Sequence, residues 1–311
     1  MTAESEAVAE WPRNRSRNRE RDCVALMVLC AIGVAVVYVL AVRTVRGQEL
    51  EITALDGRAV QPVRLASAAE LLLRTVSIAS LVVIVAVALG VAVIRHNVRL
   101  ACVVALIVGG SAVTTEALKL KLLTRPDLLG FRADTVGYLD QRSPYNTLPS
   151  GHTTISMCLV VAVVLVVPRR FQGVVALLGA PYPIGIGIAT VLAGWHRPSD
   201  VLAGVFVVGF WTFGGLLLLG WVGAMRRDER ERWERFVGPA IGVGLVLTVA
   251  SLAATSLYGF RFHFARVSAI GRRGALRPTV AFAFSAASIA TVATLVIGAV
   301  LWVLRDVRLA R

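Results

Sequence analysis

The sequence predicts an all-α fold, a polytopic membrane helical bundle, and three observations predict it. Of 311 residues, 57% are hydrophobic, above the roughly 45–50% apolar share of soluble domains. Mean hydropathy is +0.73. The apolar residues also come in blocks, bounded by charges and prolines, that can cross roughly 30 Å of hydrocarbon as helices.

Taken in order, residues 1–22 are polar and Arg-rich, ending in NRSRNRERD, and read as a basic cytoplasmic tail. The block 23–42 is too long, and lacks the small-residue cleavage site, for a removable signal peptide. Further spans are expected at 76–94, 100–118, 154–167, 173–194 and 201–225. The fourth is short and starts within the run Pro149-Ser150-Gly151-His152. A charged cytoplasmic loop, 226–238, carries RRDERERWER; residues 239–311 then hold two more spans, 239–258 and 279–304, and a basic tail.

The formal net charge of +14 does not point to nucleic acid, because the basic residues lie in short connections between apolar blocks, where membrane orientation explains them. With a cytoplasmic N-terminus, Arg95, Arg99, Arg169, Arg170, the 226–235 cluster, Arg305, Arg308 and Arg311 are cytoplasmic too. The opposite, external face of a bacterial-type cell membrane then holds PSGH and the run His196-Arg197-Pro198-Ser199-Asp200. The connection 259–278, with five arginines, runs against this pattern and reads as an interfacial segment drawn to anionic headgroups. Cys23, Cys30, Cys102 and Cys158 have no metal-ligand spacing, and no metal or other cofactor is expected.

Three polar elements close these spans. The chain leaves the third block through Lys119, Lys121, Arg125 and Pro126, and those are the only two lysines in the protein. Cations there either snorkel to the headgroups or hold an anion. Pro149, Ser150 and Gly151 present a hydroxyl and unpaired backbone N–H groups at a helix N-terminus, where an anion is attracted. His152 follows on the first turn, with a side chain that titrates near neutrality and can protonate a departing alkoxide. His196 and Asp200 are four apart; on a helix they share a face, and the carboxylate can hold one ring nitrogen so that the other points outward as a base. Pro198 between them sets the helix start near Arg197 or Pro198, so capping by Ser199 or Asp200 is the competing reading.

With KLKLLTRPDL, PSGHTT and GWHRPSD in this order, the chain resembles the type 2 phosphatidic acid phosphatase and haloperoxidase superfamily, in its membrane-bound lipid phosphatase branch. The resemblance covers residues 23–225 and implies a six-span phosphatase core with its site at one face, followed by about two extra C-terminal spans. It implies that His196 attacks phosphorus to give a phosphohistidine, Asp200 orients it and His152 protonates the leaving oxygen. Lys119 or Lys121, Arg125, Ser150 and the Gly151 amide would bind phosphoryl oxygens. The eight apolar blocks exclude a soluble haloperoxidase.

Two departures stand out. The family pattern places six residues between its lysine and Arg-Pro, where Lys119 here has five before Arg125. The family's third motif begins with Ser-Arg, where this chain has Ala189-Thr190. Losing that clamp removes about 2–4 kcal/mol of phosphoryl binding, and Arg197, Arg125 and Arg142 are the cations available to replace it. The expected partners are a lipid phosphate substrate and the surrounding membrane lipids. Phosphatidate, phosphatidylglycerol phosphate and polyprenyl phosphates all present a phosphate at headgroup depth, and an outward site favours a carrier lipid such as a polyprenyl diphosphate. A phosphotransferase of the same chemistry and a non-catalytic lipid-phosphate-binding protein are the rival readings. A transporter is disfavoured by the scarcity of acids and amides deep in the blocks and the lack of an inverted repeat.

Overall fold

The computed structural model describes residues 3–58, 61, 63–76, 86, 90, 97–129, 146–223, 225–227, 278–305 and 307–309. These form helices α1 (Ala3–Val37, continuing through a π turn, Tyr38–Val42), α2 (Val45–Arg58), α3 (Val63–Leu73), α4 (Val98–Ala117, continuing through a π turn, Leu118–Leu122), α5 (Gly151–Val166), α6 (Arg169–Gly179), α7 (Pro181–Leu192), α8 (Pro198–Trp221) and α9 (Pro278–Leu304). Two three-residue strands, β1 (Met225–Arg227) and β2 (Val307–Leu309), pair antiparallel. The fold is an all-α helical bundle apart from this ribbon.

Among the described residues five stretches are long and apolar enough to cross a membrane: Asn18–Val42, Val98–Leu122, Arg169–Leu192, Pro198–Trp221 and Pro278–Leu304. The protein is an integral membrane protein. α5 is a sixth apolar helix of 16 residues, about 24 Å long at 1.5 Å per residue. The expected spans 76–94 and 239–258 lie almost wholly outside the described residues, as does most of the 226–238 loop. Two differences from the sequence reading appear. α1 begins at Ala3, inside the stretch expected to be a polar tail, and α2 and α3 occupy Val45–Arg58 and Val63–Leu73, where no element was expected.

Local chemistry sets the helix ends. Asn97 caps α4 by accepting from the Leu100 amide at 3.0 Å, and Ser150 caps α5 by accepting from Thr153. Pro198 opens α8 at a position where a missing N–H costs nothing. The fifth span breaks between α6 and α7, where Pro181 and Pro183 withdraw two backbone donors.

α8 is the central helix, packed by α1, α4, α5 and α9. Gly204 permits its closest approach to α5, since a Cβ there would sit 3.0 Å from the Ser150 carbonyl oxygen. Trp211 Nε1 donates to Thr114 Oγ1 at 2.9 Å and joins α8 to α4. The buried Thr115 and Thr154 hydroxyls, 3.0 Å apart, join α4 to α5. The two ends of the bundle differ. One collects Arg99, which donates to the Val222 carbonyl, Arg169, which donates to the Arg305 carbonyl, and the ribbon strands with Arg226, Arg227 and Arg308. The other brings together the C-terminal ends of α4 and α7, the N-termini of α5 and α8, and α2.

Candidate active site

At this second end, Asp200 is fully buried on the first turn of α8. Its Oδ2 accepts from Thr147 Oγ1 at 2.5 Å and from the Arg197 amide at 2.9 Å, and lies 3.3 Å from His196 Nδ1. His196 is only 9% exposed. It stands in the turn before α8, so the His196–Asp200 contact is made by a bend folding back on the helix N-terminus, and the two residues do not share a helical face. That turn hangs from α7: the Thr190 carbonyl accepts the amides of Trp195 and His196. With Nδ1 turned to Asp200, Nε2 is the nitrogen left to face outward.

His152, on the first turn of α5, faces the same space. Its ring lies 5.9 Å from the His196 ring, edge to face, and 5.4 Å from Trp195. α5 is pinned to α8 at this level because the Ser150 amide donates to the Asp200 carbonyl at 2.8 Å. The Ser150 hydroxyl is fully buried and accepts from the Thr153 amide and hydroxyl, leaving its own proton to donate elsewhere.

The cations divide into two groups. Lys119 Nζ bonds Glu116 at 2.7 Å and lies 3.9 Å from where a Cβ on Gly151 would stand, over the N-terminus of α5. Lys121, two residues on, is exposed; of the two lysines, the geometry brings Lys119 to the site. Arg125 instead turns to Glu51 at 2.6 Å, both side chains being 4% exposed. Arg197 is 1% exposed and donates to Thr147 Oγ1 at 3.3 Å, on the Asp200 side of the cluster. Each arginine thus lies beside a buried acid. Thr190, which stands where the family pattern has arginine, is buried and donates to the Gly187 carbonyl. Arg142 lies outside the described residues.

Sequence reading missed Glu51, Thr147, Asn146 and Arg58. Glu51 Oε1 accepts from the amide and hydroxyl of Ser199 while Oε2 takes Arg125, so one carboxylate ties the KLKLLTRP segment to HRPSD. Burial pushes the Glu51 carboxyl above its ordinary range, and the Asp200 charge adds to this; Arg125 and Ser199 oppose it. Gln48, a turn earlier on α2, donates to the carbonyls of Val42 and Pro126. Asn146 donates to the Lys119 and Leu123 carbonyls and holds the exit of α4. A Cβ on Gly194, whose φ is +74°, would overlap the Arg58 guanidinium, so α2 also lays a cation on the loop two residues before His196. Such residues have no motif; only the fold brings them to the site.

Residues 99–224 match the model of the PAP2 superfamily. No curated protein and no solved structure matches the chain.

Proposed function

Because residues 99–224 match the model of the PAP2 superfamily, we propose that the protein is an integral membrane lipid-phosphate phosphatase working through a phosphohistidine, without a metal. The observation that carries this reading is the row Asp200, His196, His152, set at one end of the bundle beside Lys119 and the α5 N-terminus.

Asp200 fixes the His196 tautomer, and Nε2 attacks phosphorus. The P–N bond forms as the bond to the leaving oxygen breaks, and His152 gives that oxygen its proton. Water then attacks the phosphohistidine, loses a proton to His152 and releases phosphate, which returns both histidines to their starting state. Lys119, the Gly151 amide and the Ser150 hydroxyl bind the phosphoryl oxygens, where a helix N-terminus and a cation act together. Arg197 and Arg125 neutralise Asp200 and Glu51 and keep this cluster from repelling a dianion. With Thr190 in place of an arginine, Lys119 carries more of the phosphoryl charge, and Arg58 adds positive potential at the His196 loop.

The test is phosphate release from lipid phosphates in detergent with a chelator present, alongside His196→Ala and His152→Ala. Release that persists with chelator and is lost in both variants is expected. Transfer of labelled phosphate to a lipid alcohol would identify a phosphotransferase. Binding of lipid phosphates by wild type and both variants with no turnover would identify a binding protein.

A further inference from the structure

A cavity of about 330 Å³ lies beside the site, lined mostly by residues outside the three motifs. Val36 and Leu40 at the end of the first span wall it, with Leu202 of α8, Phe284 and Ser288 of α9, and the Glu51–Ser199 pair at its head. Pro198 and Ser199, shared with the HRPSD turn, make it continuous with the site. Phe284 and Ser288 are six and ten residues into α9, about 9 to 15 Å along that helix from its site end. On the outer side, Val36 is 46% and Leu40 60% exposed on a membrane-spanning stretch, so the cavity borders hydrocarbon.

We infer that this cavity takes one hydrocarbon chain of the lipid phosphate whose headgroup sits at His196. The inference rests on the phosphatase reading and deepens it. The occupant follows from the lining. The one charged lining residue, Glu51, is an acid with its oxygens turned to Arg125 and Ser199, so an anionic headgroup is repelled and an apolar chain is accepted. The volume is at the low end for ligand sites, about 300–1,000 Å³, and suits one slender chain. Three of the four walls come from α1, α2 and α9, outside residues 99–224. The helices added to the PAP2 segment therefore select the tail while the segment itself handles the phosphate.

The experiment uses the full chain in phosphatidylcholine vesicles. Single-chain alkyl phosphates of rising length are compared on wild type, Ser288→Trp, which fills the cavity, and Leu295→Trp, which puts the same bulk on the exposed side of α9. The kcat/KM of Ser288→Trp relative to Leu295→Trp is expected to stay near parity for chains too short to reach residue 288 and to fall for chains long enough to meet the tryptophan. A ratio independent of length overturns the inference. Photolabelling of wild type gives a readout independent of turnover and of any folding defect in the variant. An alkyl phosphate with a diazirine near the chain end should label residues 284–288, and an alkylphosphocholine with the same chain should label exposed lipid-facing residues instead. Equal labelling of 284–288 by both probes, or none by either, overturns the proposal. Labelling without turnover retains the cavity and sinks the phosphatase reading; turnover without that labelling does the reverse.

Discussion

Asp200 Oδ2 gathers three groups at once, the Thr147 hydroxyl, the Arg197 amide and the His196 ring, and a carboxylate so held keeps one orientation. Thr147→Val removes one of these donors with little change in shape. A hydrogen bond to a charged group contributes about 1.5–3 kcal/mol, so kcat is expected to fall about tenfold or more, with KM little changed because Thr147 does not face the phosphate. An unaltered kcat would remove Thr147 from the positioning network. Glu51 behaves differently, because burial raises its pKa above the ordinary value of 4.5. Below the unfolded value both states hold the proton and nothing changes. Above it the unfolded chain releases the proton while the native state keeps it, so this group costs stability as pH rises, until its native pKa is passed. Glu51→Gln deletes the titration and keeps a neutral polar side chain of the same length beside Arg125 and Ser199. The wild-type lead over Glu51→Gln in detergent unfolding should therefore be largest near pH 4.5 and shrink as pH rises. A lead that grows over that range would reverse the sign of the Glu51 shift.

At the scale of elements, the site depends on how closely α5 and α8 meet. Gly204 sits where a Cβ would stand 3.0 Å from the Ser150 carbonyl and 3.3 Å from Thr153, and the Ser150 amide bonds Asp200 across that seam. Gly204→Val wedges the helices apart; overpacking of this kind costs about 1–3 kcal/mol, and the displaced α5 takes His152 away from His196. A lower unfolding midpoint together with loss of turnover is expected, whereas Gly220→Val, on the same helix with open space around it, should change neither. The same seam explains which elements were legible. PSGH and HRPSD carry two of only four histidines in the chain at the ends of apolar blocks, where chemistry is rare and therefore visible. Helix α2, VRGQELEITALDGR, mixes charge and apolar residues without a strong period and reads as a loop. Its Glu51 looks like an ordinary surface acid until the fold sets it against Arg125 and Ser199, 74 and 148 residues away. The His196–Asp200 contact was legible as a pair, but its cause was not: spacing suggested a helical face, and the chain uses a turn ahead of Pro198.

For the whole molecule, the end of the bundle away from the site collects arginines from several short connections, and this predicts an orientation that can be measured. Arg99, Arg169 and Arg305, with the Arg-bearing ribbon strands, collect at the end that also receives the basic entrance to α1. His152, His196 and the α2 clamp stand at the other. Short arginine-rich connections stay on the cytoplasmic side of a membrane; from this we propose that the site end is external, where a lipid phosphate in the outer leaflet would reach His196 without crossing. The four native cysteines are replaced by serine, and single cysteines are then placed at Trp195, 41% exposed in the site loop, and at Arg170, exposed beside the start of α6. In intact cells a membrane-impermeant maleimide should label Trp195→Cys and spare Arg170→Cys until the membrane is opened. The opposite pattern would place the site inside, make the arginine-rich end external against the charge rule, and require the substrate to be an inner-leaflet lipid.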